Sequence, residues 1–177
     1  MRRMMNPRTL TRTLPLALIA STAILTGTST AFAATPTPGT PDSIQTEIND
    51  QLRAHPGGVQ TGPNEITYKN GKVILSIPSN PTVVDTCASG AYCFFDGPDF
   101  TGRMLTFRDC GGWQYLTDYG FGNKTSSWTN LSKNTVKVYD EDVSPRAQLW
   151  TMAPGAAAAN VGSAAYNKAD SFLTYCP

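Results

Sequence analysis

Phe95-Asp96-Gly97-Pro98-Asp99-Phe100-Thr101-Gly102 joins two short runs, Tyr92–Asp96 and Arg103–Arg108. Aromatic and aliphatic runs of this length, broken by Gly and Pro, read as strands separated by a turn. Two more such runs, Thr135–Asp140 and Gln148–Met152, follow further along. A shift of 44 residues, without gaps, lays the first region on the second. Phe95-Asp96 falls on Tyr139-Asp140, Leu105 on Leu149, and Gly111 on Gly155. Asn123-Lys124-Thr125-Ser126-Ser127-Trp128 falls on Asn167-Lys168-Ala169-Asp170-Ser171-Phe172. An Asn-Lys-x-x-Ser-aromatic block that recurs at one distance from an aromatic-Asp pair predicts two copies of one β unit. Residues 87–177, which hold all three Trp and all four Cys, are therefore expected to form a compact all-β domain, with Trp128 and Phe172 in its core.

Upstream of that domain the texture differs. Ile44, Ile48 and Leu52 recur every four residues, as on one helix face. Asp42, with Gln45 three residues on, has the spacing of a capping box, and His55-Pro56-Gly57-Gly58 ends the helix. Asn70-Gly71 between two strand-like runs supplies the positive φ angles of a two-residue type I′ turn. Counting outward pairs Tyr68 with Val73 and Ile66 with Leu75, and Ile77 extends the same apolar face. Residues 42–78 thus read as a helix plus hairpin, too small for a core of its own. It either packs on the rest of the chain or is a removable leader. Residues 34–41 form a Pro/Thr-rich spacer and 79–86 a connector.

Residues 1–33 read as a secretory signal: Arg2, Arg3, Arg8 and Arg12, a short apolar core from Leu14 to Leu25, then Ala31-Phe32-Ala33. The apolar core is shorter than the roughly 20 residues a bilayer span needs. Beyond it, ten Lys and Arg stand against thirteen Asp and Glu, and a weakly acidic chain lacks the electrostatic footprint for nucleic acid or anionic membrane. The only His, His55, excludes a His-rich metal centre and any mechanism that needs two imidazoles. Export gives the even cysteine count its meaning: disulfides. Four Cys allow three pairings. The Gly90 turn favours Cys87–Cys93, which leaves Cys110–Cys176 to close a long loop and tie down the C-terminus.

On these residues the sequence resembles the βγ-crystallin superfamily. Phe95, Phe100 and Gly102 match its signature of aromatic, four residues, aromatic, any residue, Gly. In that family the glycine sits where the first hairpin folds over its sheet. Asn123, Ser126 and Ser127 match its second signature, with Gly122 replacing the first Asn or Asp. In the second repeat Tyr139, Asn167 and Ser171 remain, but Ser144 and Arg146 take the aromatic and Gly places, and Tyr166 and Asp170 replace two further signature residues. The wider arrangement resembles secreted bacterial metalloproteinase inhibitors of this fold, with their signal, helix-hairpin unit and Cys-x-x-x-Tyr-x-Cys-aromatic opening, here spelled Cys87-Ala88-Ser89-Gly90-Ala91-Tyr92-Cys93-Phe94, with Tyr92 directly before Cys93. The resemblance implies a β-sandwich of two Greek keys preceded by a small helix-hairpin unit. It also implies a secreted, extracellular, non-enzymatic protein whose partner is a peptidase, specifically a metalloendopeptidase.

Two other functions fit the same resemblance: an extracellular structural or calcium-binding crystallin-like protein, and a secreted antagonistic toxin. Fold alone does not choose among them. No Gly-x-Ser-x-Gly, His-Glu-x-x-His or phosphate-loop motif points to an enzyme. No cofactor is expected, calcium being the one the family leaves open. Its candidate ligands are Asn123, Asn167 and Asp170, but the missing first-position oxygens at Gly122 and Tyr166 and the adjacent Lys124 and Lys168 predict binding no tighter than about 100 μM. Asp140-Glu141-Asp142 is read as a solvated hairpin tip. The aromatic stretch Trp113 to Phe121 is expected to cover one end of the sheets as core, the alternative being an anchor for a protein partner. The sequence assigns no inhibitory loop.

Overall fold

A computed structural model describes residues 37–82 and 85–177. The expected signal at 1–33 lies outside them, as do residues 34–36 of the expected spacer. Helix α1 spans Pro41–Ala54. Its cap is Thr40, whose hydroxyl accepts from the Ser43 backbone N–H at 3.3 Å, and not Asp42. The reason is Pro41: its fixed φ and missing N–H suit the first helical position, which puts the cap at Thr40, two residues before Asp42. Asp42 then lies in the first turn, where the helix dipole favours a carboxylate. Ile44 and Ile48 face inward and are buried.

Three strands follow, β1 (Val59–Gly62), β2 (Glu65–Tyr68) and β3 (Val73–Ser76). Tyr68 pairs with Val73 and Ile66 with Leu75, as the turn chemistry requires. Asn70 and Gly71 adopt φ of 53° and 89°, and the Lys72 N–H bonds back to the Lys69 carbonyl. Strand β1 was not legible in the sequence, because Val-Gln-Thr-Gly lacks an apolar alternation.

The two repeats supply β4 (Tyr92–Phe95), β5 (Met104–Phe107), β6 (Gly112–Tyr115) and β7 (Ser127–Asn130), then β8 (Thr135–Asp140), β9 (Ala147–Met152), β10 (Ala157–Ala158) and β11 (Ser171–Tyr175). Corresponding strands stand at the 44-residue shift. The sheets run β1-β2-β3-β5-β4-β7-β10 and β6-β11-β8-β9. Each key therefore lends its third strand to the other's sheet. The exchange is reciprocal down to single bonds: Asn123 N–H donates to the Ala169 carbonyl at 2.9 Å, and Asn167 N–H to that of Thr125 at 3.3 Å. Two Greek keys interlocked in this way form a βγ-crystallin-like sandwich.

Alternation along the strands places Tyr92, Phe94, Leu105 and Phe107 on the inner face of the first sheet. They meet Val136, Val138, Met152 and Phe172 of the second. Phe107 and Phe172 pack edge to face at 4.7 Å, a favoured aromatic geometry. Ile48, Ile66 and Leu75 belong to this same core. Strand β3 pairs directly with β5, Val73 opposite Phe107 and Ser76 opposite Met104. The helix-hairpin unit thus extends the first sheet and caps one end of the core. The outer face of that sheet carries a second cluster: Cys93, Phe95 and Met104 lie beneath Cys87, Ala91 and Phe100. Disulfides link Cys87 to Cys93 and Cys110 to Cys176.

Candidate functional site

The hairpin between β4 and β5 folds back over its own sheet. Asp99, Phe100 and Gly102 all adopt positive φ, of 55°, 61° and 77°. Ser127 clamps it, its hydroxyl donating to the Gly97 carbonyl at 2.7 Å and accepting from the Phe100 N–H at 3.0 Å. The Ser126 hydroxyl donates to the Asp96 carbonyl at 2.9 Å. Phe95 and Phe100 meet edge to face at 5.7 Å. The Asp96 carboxylate accepts from Arg103 twice, from its backbone N–H and its Nε, both at 2.7 Å. Phe95, Phe100, Gly102, Ser126 and Ser127 therefore assemble as one clamp that holds a strained turn.

The second key builds its hairpin tip differently. The Ser171 hydroxyl donates to the Glu141 carboxylate. Where the first key has Ser126, the second has Asp170, whose carboxylate accepts from the Glu141 N–H at 3.1 Å. The Asp140 carboxylate accepts from the Asp142 N–H at 2.9 Å. Across the key boundary, the Asn123 side-chain amide donates to the Asp142 carboxylate at 2.9 Å. Carboxylate oxygens of Asp140, Asp142 and Asp170 all fall within 4.8 Å of one another. Asp140 and Asp170 are buried and Asp142 is exposed. The acidic triplet is thus more than a solvated tip. Its first and third members converge on two of the sequence-derived ligand candidates, Asn123 and Asp170.

Asn167 belongs to the opposite pole. The 44-residue equivalence sets Pro98 where the acidic pole has Asp142, Ser126 where it has Asp170, and Asp96, already paired with Arg103, where it has Asp140. The two poles are related by the repeat but chemically unequal. Sequence reasoning missed the acidic cluster because its members approach only through the long-range pairing of β11 with β8. The signal available was that the acidic run begins at the repeat's aromatic-Asp pair.

Burial raises the Asp170 carboxyl above its ordinary value; the hydrogen bond from Glu141 N–H opposes this, and the charges of Asp142, Asp140 and Glu141 add to it. A carboxyl with a raised folded pKa binds its proton more tightly in the folded chain. Its ionisation is a penalty that is absent below the unfolded value of 3.8 and grows as pH rises through the folded value. Asp170→Asn keeps an acceptor for the Glu141 N–H and removes the charge. The variant should melt above the parent at pH 7 by thermal denaturation, with the gap closing as the pH falls below about 4; a lower melting temperature at neutral pH would contradict this.

Three hard oxygen donors fit a divalent cation, and Asp140, Asp142 and Asp170 would hold it, supplying charge neutralisation at this pole. Calcium takes six to eight oxygens, and each of these carboxylates already accepts an internal hydrogen bond. Calorimetric titration of chelator-treated protein should give at most one calcium per chain, no tighter than about 100 μM. Two sites, or a micromolar one, would contradict the inequality of the poles.

The aromatic stretch divides. Leu116, Tyr119 and Phe121 are core, as expected, but Trp113 and Tyr115 are exposed. Their strand alternates around buried Gln114, so the two rings point outward together.

Residues 80–144 match peptidase inhibitor family I36. No curated relative matches the chain. Among solved structures, a βγ-crystallin domain from Clostridium beijerinckii is 22% identical, with a TM-score of 0.40, over 48% of this chain and 97% of that one. A structure described as "Evolution of the eye lens beta-gamma-crystallin domain fold" is 13% identical, with a TM-score of 0.42, over 59% of this chain and 98% of that one. The family matched is one of inhibitors, not catalysts, and the two disulfides fit an oxidising, extracellular setting. With its interlocked Greek keys, the chain has a βγ-crystallin-like fold, and the segment similar to peptidase inhibitor family I36 runs through the first of those keys.

Proposed function

We propose that the chain is exported and inhibits a secreted metalloendopeptidase by binding it as a protein. The observation that carries this reading is the match of residues 80–144 to peptidase inhibitor family I36. That segment takes in the Cys87–Cys93 bridge and most of the residues that fix the folded hairpin. Physical chemistry supports it. Surface held by disulfides and buried hydrogen bonds is preorganised, so binding does not pay the ordering cost that a flexible peptide incurs. A rigid chain also resists being cut.

The enzyme owns the zinc in this reading. The inhibitor lacks soft ligands to withdraw it, since its cysteines are paired and it has one histidine. Added zinc should therefore not rescue the peptidase, and reduction of the two disulfides should abolish inhibition. A panel of secreted metallo- and serine peptidases, assayed for residual activity with oxidised and reduced protein, tests the class. Serine peptidases inhibited as strongly as metalloendopeptidases would overturn the proposed target. The acidic pole favours a second reading, a calcium-responsive structural protein, which a large rise in melting temperature at micromolar calcium would promote over inhibition.

A further inference from the structure

We propose that the open outer face of the second sheet is the surface that grips the target peptidase, with Trp113 as its anchor; this rests on the inhibitor reading above. The two keys treat their outer faces differently. In the first sheet, Cys93 and Phe95 are sealed beneath the segment that the Cys87–Cys93 bridge pins down. Their equivalents in the second sheet at the 44-residue shift are Lys137 and Tyr139, and both remain partly exposed.

Register gathers the aromatic side chains on that face. Trp113 and Lys137 both stand opposite Leu173 on β11, from its two sides, and Tyr115 and Tyr139 both stand opposite Ser171. Ser171 is small, and the Trp113 and Tyr139 rings meet at 4.9 Å. Trp113, Tyr115 and Tyr175 are 41%, 39% and 46% exposed. The other exposed large apolar residues, Val59, Leu131, Val143 and Tyr166, lie outside strands β6, β8 and β11.

The face is rigid as well as apolar. The Arg146 guanidinium lies 4.1 Å from the Trp113 ring centre and pairs with Glu141 at 3.0 Å, and Glu141 is held in turn by Ser171. Trp, Tyr and Arg are the residue types that dominate binding energy at protein interfaces. An ordered aromatic patch presents them at little entropic cost. Its charge indicates the partner. Lys137 lies over the Tyr175 ring at 5.2 Å and, with Arg146 already paired to Glu141, is the cation of this face that has no ion pair among the described residues. The complementary surface is an acidic rim of the peptidase.

The test uses the full oxidised chain and a metalloendopeptidase that it inhibits. Trp113→Ala should weaken the inhibition constant by at least about 30-fold, and Tyr115→Ala by about tenfold. Lys137→Glu should slow association at low salt, with the difference shrinking at high salt. Leu131→Ala and Val59→Ala, on other surfaces, should stay within about twofold of the parent. Tyr115 makes none of the ring contacts that link Trp113 to Tyr139 and Arg146, so it reports on the face even where loss of Trp113 loosens the sheet. Parent-like inhibition by both aromatic variants would overturn this surface and leave the inhibitor reading standing. A parent that inhibits no peptidase would overturn both.

Discussion

A chain that begins at residue 79 should fail to fold cooperatively, or should melt more than about 10 °C below one that begins at residue 35. The truncation removes α1 and the strands β1 to β3. Ile48, Ile66 and Leu75 are fully buried in the common core, and each such side chain contributes about 1.5–3 kcal/mol. Strand β5 would lose its pairing with β3 and present an unpaired edge beside Leu105 and Phe107. Arg103 would also lose Glu47, which it meets at 3.5 Å, though this half-exposed pair matters less than the core. Scanning calorimetry and light scattering on the two chains decide the matter. A truncated protein that melts as sharply and as high would show that residues 42–78 are a dispensable leader.

Gly102→Val should destabilise the chain by roughly 2 kcal/mol or more. Gly102 has φ of 77°, where a β-branched side chain is strongly disfavoured. A Cβ there would also run into the Asp96 carboxylate and come within 3.0 Å of the Gly97 nitrogen. That carboxylate is the acceptor that fixes Arg103, so the clash disturbs the hairpin clamp and an ion pair together. Arg146→Val, at the repeat-equivalent position, should cost far less, since Arg146 is exposed and free of the positive φ. Denaturant midpoints measure both. Equal shifts would show that the two hairpins do not correspond as the 44-residue repeat requires.

The parts of the fold that depend on local chemistry were legible. Asn70-Gly71 set the hairpin register, and the spacing of Ile44 and Ile48 set the helix face. The recurrence of Asn123 and Asn167 set the pairing of the two keys. The helix cap was misplaced by two residues because the spacing of Asp42 and Gln45 imitated a capping box that Pro41 pre-empts. What escaped was tertiary. Nothing local says that β6 and β10 change sheets, and that exchange is what carries Asn123 to Asp142 and turns Trp113 and Tyr115 outward. The same exchange places Asn167, the counterpart of Asn123 in the repeat, at the opposite pole, where Pro98 and Ser126 stand in the places of Asp142 and Asp170.

The most direct test of the central claim is a titration of a secreted metalloendopeptidase with the oxidised chain lacking its expected signal, following residual peptidase activity and the fate of the chain together. The account predicts a linear fall in activity to an endpoint near one inhibitor per enzyme, with the inhibitor recovered uncut and the loss unaffected by added zinc. A chain that is simply digested, or that leaves every metalloendopeptidase fully active at equimolar micromolar concentration, would contradict it.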